Sequence, residues 1–149
     1  MFNIVLFEPE IPPNTGNIGR LCVATNSKLF LIKPLGFSLS DKHLKRAGLD
    51  YWPFLNYEII DSLDVLLQAN SIHSFYFLTT KSSKSIFSAR FKTGDFLVFG
   101  PESRGLPEKY IKDTDALTIP MYSQNIRSIN LATSVGIVLY EAIRQQAVY

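Results

Sequence analysis

The chain of 149 residues has one cysteine, two histidines and no apolar run near the length of a membrane span, and each shortage removes a class of protein. A lone Cys22 closes no intrachain disulfide and builds no multi-cysteine metal site, which points to a reducing compartment. His43 and His73 stand apart and no carboxylates cluster at ligand spacing, so no metal is expected. Crossing a bilayer takes ~20 consecutive apolar residues, and the N-terminus has neither the basic start nor the small-residue cleavage site of a secretory signal. A cytoplasmic protein without membrane contact is the expectation. Covalent hydrolysis has no support either: there is no GxSxG elbow, and Cys22 falls on the apolar face of an expected helix, where a thiol is usually inert. Internal repeats, low-complexity tracts and linkers are missing too. With 46% hydrophobic and 19% charged residues, the composition is globular, and one domain over residues 1–149 is expected.

What is present is alternation. FNIVLF, LFLIK, FYFLTT and DFLVFG read as strands, and NIGRLCVATN, SLDVLLQAN and PEKYIKD as helices. This order predicts an α/β fold, a mostly parallel sheet flanked by helices. FYFL and FLVF are continuous apolar runs, as in strands covered on both faces. A last helix is expected over 128–146, with Leu131, Val135, Val138 and Ala142 on one stripe and Ile129, Ala132, Leu139 and Ile143 on another. So broad a surface needs two partners: the sheet, and either a second subunit, with Val138 as a trial interface position, or the chain's own core. The net charge is only +2, yet KHLKR (42–46) and KSSKSIFSARFK (81–92) contain no acid at all. Each is either solvated surface or a contact for a polyanion.

Ligands of open α/β sheets bind beyond the carboxyl ends of the strands, so the turns there carry the chemistry. The first, EPEIPPNTGNIGR (8–20), is stiffened by Pro9, Pro12 and Pro13. Asn14 stands where a helix cap would stand, and Gly16 and Gly19 leave one face of the next turn bare ahead of Arg20. Rigidity, bare backbone and one cation read as a site, although the GxGxxG of dinucleotide-binding folds is missing. The second turn, GPESRG (100–105), has the glycine spacing of a phosphate loop. Leu106 and Pro107 occupy the places where that loop needs Lys and Ser or Thr, which argues against a nucleoside triphosphatase. The third, IPMYSQNIRSIN (119–130), brings Arg127, Ser128 and Asn130 to the start of the last helix, where capping alone would explain them.

Taken together, NTGNIGRLC, LVFGPESRGLP and IPMYSQNIRSINLATSVGIVLYEA resemble the three motifs of the SPOUT superfamily of RNA methyltransferases, in that family's order. The likeness is to its group of tRNA wobble-nucleotide 2′-O-methyltransferases. It extends to EPEIPP at the start and to IKPLGF and LKRAGLDYW in the middle, so it covers nearly the whole chain. The third motif departs from the group's pattern by one extra residue between Pro120 and Ser128, and by Ala132 and Thr133 where Ser and Asn are usual. The resemblance implies a SPOUT fold with a trefoil knot in the C-terminal third, S-adenosylmethionine as methyl donor, a homodimer, and tRNA as partner. Pattern reading alone gives no reason to expect a knot.

The resemblance also implies roles. Leu78, Gly100, Glu102, Gly105, Ile119, Met121, Ser128 and Leu131 are the expected cofactor residues, with bare glycine backbone and apolar side chains suited to an adenine slot. Arg20, Asn14, Glu102, Ser128 and Asn130 form the expected catalytic set. Glu102 is left with three readings: a bond to the donor's amino end, a brace for Asn14 and Arg20, or a plain acid at the start of a helix. Arg20 either grips a phosphate beside the target ribose or pairs with Glu102. A 2′-hydroxyl exists only in RNA, and single-stranded loops expose it best. Arg20, Lys42, Lys45, Arg46, Lys81, Lys84, Arg90, Lys92 and Arg127 are therefore the candidate RNA contacts, with one subunit holding the donor and its partner part of the RNA. Two other readings remain: a ribosomal RNA methyltransferase, and a catalytically silent RNA-binding protein on the same scaffold.

Overall fold

The apolar run behind Met1 becomes the middle strand of the sheet. In the computed structural model of the chain, which describes residues 1–40, 42, 44 and 50–147, β1 (Asn3–Phe7) pairs in parallel with β2 (Lys28–Ile32) on one side and β5 (Phe96–Phe99) on the other. The outer strands are β3 (Tyr57–Ile60) and β4 (Phe75–Leu78), and the order is β3-β2-β1-β5-β4, parallel throughout. Successive strand residues point to opposite faces, so two apolar layers form. Ile4, Leu6, Leu29, Leu31, Leu97 and Phe99 face α1 (Pro12–Ala24) and α4 (Leu131–Gln146). Val5, Phe7, Phe30, Ile32, Phe96 and Val98 face α2 (Leu63–Ala69) and α3 (Glu108–Ile111).

Three expectations change. The first helix starts at Pro12, with both prolines in its opening turn and no side-chain cap. A ring with fixed φ and no N–H fits that turn, and Asn14 is thereby released from capping. The edge strand β3 was not legible as a strand, because Tyr57 and Glu58 are exposed and lend it no apolar pattern. Finally, both stripes of the last helix turn inward. Val135, Val138, Leu139 and Ala142 are completely buried in the chain's own core, and Leu131, Ala132 and Ile143 pack against it. Val138 is thus no interface position. The face left over carries Ile137 and Tyr140, 37% and 52% exposed.

The strand order leaves a crevice where β1 and β5 end side by side. Beside it, residues 117–118 are held on both flanks. Thr79 N donates to Leu117 O and Leu117 N to Phe77 O on one side, while Ile86 N donates to Thr118 O and Thr118 N to Lys84 O on the other. The chain after β5 is therefore stitched at residues 117–118 between the two ends of the 79–85 loop.

Candidate active site

A slot of about 510 Å³ opens at the carboxyl ends of β1, β4 and β5, and all three sequence turns line it. Leu78, Ile119, Met121 and Leu131 supply apolar wall; Thr79, Thr80, Thr118, Ser128 and Ser134 supply hydroxyls; Lys81 and Arg127 supply positive charge. Every expected cofactor residue is among the lining. Gly100 is required by close approach, since a Cβ there would overlap the main-chain nitrogen of Leu106. Gly105 is required by its φ of +70°, a conformation that costs a side-chain residue energy. The resulting bare turn lies open to the slot, and the volume falls in the range of small-molecule pockets.

One relay of side chains joins the turns. The Glu102 carboxylate accepts from the main-chain N–H of Glu10 at 2.9 Å and of Ile11 at 3.1 Å, and from Nδ2 of Asn14 at 3.4 Å. Oδ1 of the buried Asn14 accepts from Nδ2 of Asn130 at 2.9 Å. Oδ1 of Asn130 accepts from Thr133 N at 3.2 Å, and its carbonyl accepts from the Ser134 hydroxyl at 3.1 Å, capping α4. Glu102 therefore holds Asn14, while Arg20 lies elsewhere. The same carboxylate also fixes the main chain at Glu10 and Ile11, just ahead of α1.

Arg20 departs from its alternative reading. Its guanidinium lies 3.7 Å from Asp50, not against Glu102, with both side chains largely exposed. Gly16 and Gly19 do not present bare backbone to solvent. The Tyr51 hydroxyl donates to Gly16 O, and a Cβ on Gly19 would press Leu55 and Tyr51 at 3.1 and 3.2 Å. Gly19 lets the segment around Tyr51 pack against α1, and Gly16, also buried, offers that segment its carbonyl. Burial there pushes the Tyr51 hydroxyl up to about 12 and the Cys22 thiol likewise to about 12. Neither group is ionised near neutrality.

The SpoU rRNA methylase family matches residues 1–140 of this chain. The chain belongs to that family. A tRNA (cytidine(34)-2′-O)-methyltransferase of Methylovorus glucosotrophus is 50% identical over 149 residues, covering 97% of this chain and 96% of the relative. A structure solved for the 2-OH methylation of C/U34 on tRNA superposes with a TM-score of 0.94 at 46% identity, covering 98% of this chain and 96% of the other. An AdoMet-bound rRNA methyltransferase from Sinorhizobium meliloti has a TM-score of 0.85 at 22% identity, covering 99% of this chain and 57% of that one, and shares the fold.

Within this SpoU-family site, sequence reading missed the outer stitching. Ser103 Oγ donates to Glu10 Oε1 at 2.7 Å, and Arg104 pairs with Glu8 and reaches Glu10 at 3.9 Å. The acids flanking Pro9 and the arginine inside GPESRG were the available signal. Among the candidate RNA contacts, Lys81 and Arg127 line the slot and Lys84 pairs with Asp115 at 3.3 Å. Arg90 and Lys92 lie at the opposite end of the sheet, before β5, and Lys42 is exposed. Lys45, Arg46 and His43 lie outside the described residues. Among the described residues no three His, Cys, Asp or Glu gather as for a metal ion, and no helix is long and apolar enough to cross a membrane.

Proposed function

We propose that this SpoU-family chain is a tRNA methyltransferase that uses S-adenosylmethionine to methylate the ribose 2′-oxygen of the wobble nucleotide in the anticodon loop, working as a cytoplasmic homodimer. The observation that carries the reading is the relay Glu102–Asn14–Asn130, which fixes three distant turns around one slot of cofactor size. The residues fit the donor: bare backbone at Gly100 and Gly105, an apolar wall from Leu78, Ile119, Met121 and Leu131, and hydroxyls at the rim. When bound, S-adenosylmethionine supplies an electrophilic methyl group on a sulfonium.

The chain's own residues then have to align the acceptor and exclude water. Asn130 ties the third turn to Asn14, and Ser128 lines the slot beside it where the acceptor ribose would enter. Arg20, always protonated, is a poor base but grips a phosphate with two teeth. The gripped phosphate would accept the proton of the 2′-hydroxyl as its oxygen takes the methyl group, while the methyl–sulfur bond breaks and the donor leaves as the neutral thioether S-adenosylhomocysteine. Arg20 is not among the residues lining its own slot. It sits on the exposed side of α1, whose Leu21 approaches Gly136 of α4, beside the face that carries Ile137 and Tyr140. A second copy covering that face places Arg20 at the seam, where it serves the RNA held by the partner.

Mass spectrometry of total tRNA from cells with and without the protein tests the activity. A 2′-O-methyl group that appears on the wobble nucleotide only with the protein is expected. Transfer confined to ribosomal RNA, or RNA binding without transfer, overturns the reading. Titration calorimetry with S-adenosylmethionine tests the slot.

A further inference from the structure

The segment 81–92 is acid-free, and the slot uses only its first residue. Of its apolar residues, Ile86, Ala89 and Phe91 are buried and Phe87 alone is exposed. Its cations are left outside, with Lys81 at the slot and Lys84, Arg90 and Lys92 exposed beyond it. The main chain is fixed along its length. Thr118 bonds it at Lys84 and Ile86, and the amides of Gln145 and Gln146 bond Ala89 O, Phe91 N and Phe91 O. At its far end Arg90 and Lys92 face Arg144, Gln145 and Gln146 across a groove of about 340 Å³. Arg144 is occupied by Glu141 at 2.8 Å and Lys84 by Asp115. Among the described residues no ion pair involves Arg90 or Lys92.

On the footing of the proposed function, we propose that this strip is a second RNA contact, which carries the phosphate backbone of the paired stem away from the slot and into the Arg90/Lys92 groove. Distance sets the register. From Asn130 at the slot to Arg144 at the groove, α4 climbs about 21 Å at 1.5 Å per residue. That is several nucleotides beyond the reacting ribose, where an RNA loop has given way to its stem. Chemistry sets the class of ligand. A single-stranded track needs a succession of bare rings on which bases stack, whereas the strip exposes Phe87 alone. Phosphates of a duplex are recognised by shape and charge, which fixed cations on an anchored backbone supply.

The test is equilibrium binding, which needs no turnover. The full-length protein and the double variant Arg90→Gln, Lys92→Gln are titrated with a labelled anticodon stem-loop RNA and with the loop sequence alone as a linear oligomer, over a range of salt. Loss of two phosphate contacts predicts an affinity for the stem-loop about 10-fold weaker at low salt, and a log-log salt slope smaller by about 1–2. The linear oligomer and S-adenosylmethionine are expected to bind the variant as they bind wild type, and the melting temperature to stay unchanged. Equal stem-loop affinity and slope in the two proteins overturns the strip, as does equal weakening of both RNAs. Methyl transfer to tRNA by the wild type is scored separately. Its absence alongside an intact binding difference rejects the enzymatic reading and leaves the strip standing.

Discussion

Asn130 donates from Nδ2 to Oδ1 of Asn14 at 2.9 Å, tying the first turn of α1 to the cap of α4 across nearly the whole chain. The cap needs only an oxygen at residue 130, whereas the tie needs a donor, so two substitutions separate them. Asn130→Asp keeps the cap on Thr133 and loses the donor; Asn130→Ala loses both. The aspartate variant is expected to melt near wild type with methyl transfer down at least ~10-fold. The alanine variant is expected to lose about 1 kcal/mol as well. Thermal melts and single-turnover rates read the difference; equal melting of the two variants would sink the separation.

Arg20 sits in an exposed pair with Asp50, an arrangement worth little to stability. Arg20→Ala is therefore expected to leave melting and donor affinity unchanged while methyl transfer falls at least ~100-fold, the scale of lost orientation. Arg20→Lys rescues poorly, because a point charge lacks the two-toothed grip. A near wild-type rate in Arg20→Ala removes the clamp from the mechanism.

Gly100 leaves no space for a side chain against the main chain of Leu106. A methyl there forces the 100–106 turn aside and with it Glu102, so Gly100→Ala is expected to weaken S-adenosylmethionine binding at least ~10-fold by calorimetry. Unchanged affinity would show that the turn yields without disturbing the slot.

Tyr140 and Val138 lie two residues apart on α4 and predict opposite failures. Val138 is fully buried and Tyr140 half exposed. Val138→Asp puts an unpaired charge in the core and is expected to unfold the chain. Tyr140→Asp is expected to give a folded monomer by sedimentation and circular dichroism. A folded dimer from Tyr140→Asp moves the interface to another face.

Glu141 is held below the ordinary carboxylate value of 4.5, chiefly by the hydrogen bond from Arg144, against burial and with help from Gln145. A depressed native value stabilises above the unfolded pKa, and the gain is lost as pH falls through the native one. Glu141→Gln should therefore melt below wild type at pH 7, with the two curves converging as pH drops below about 4.5. A gap that stays constant from pH 7 to pH 3 contradicts the linkage.

Local pattern was enough to read the α/β class, the strands β1, β2, β4 and β5, and the three turns that meet at the slot, because apolar runs and glycine or proline punctuation act within a few residues. The inert Cys22 was legible for the same reason, since its place on an apolar helix face is local. Partners across the chain were not. Glu102 holding Asn14, Asn130 donating to Asn14, and Arg20 lying beside Asp50 all join residues far apart in sequence, and nothing in a short window specifies which distant group a polar side chain will meet. The same limit explains Gly16, Gly19 and Val138. Composition makes them small or apolar, but whether such a residue faces solvent, a second copy or the chain's own core is decided by what the tertiary fold lays against it. Here that is Tyr51 and Leu55 over the glycines and the sheet beneath Val138.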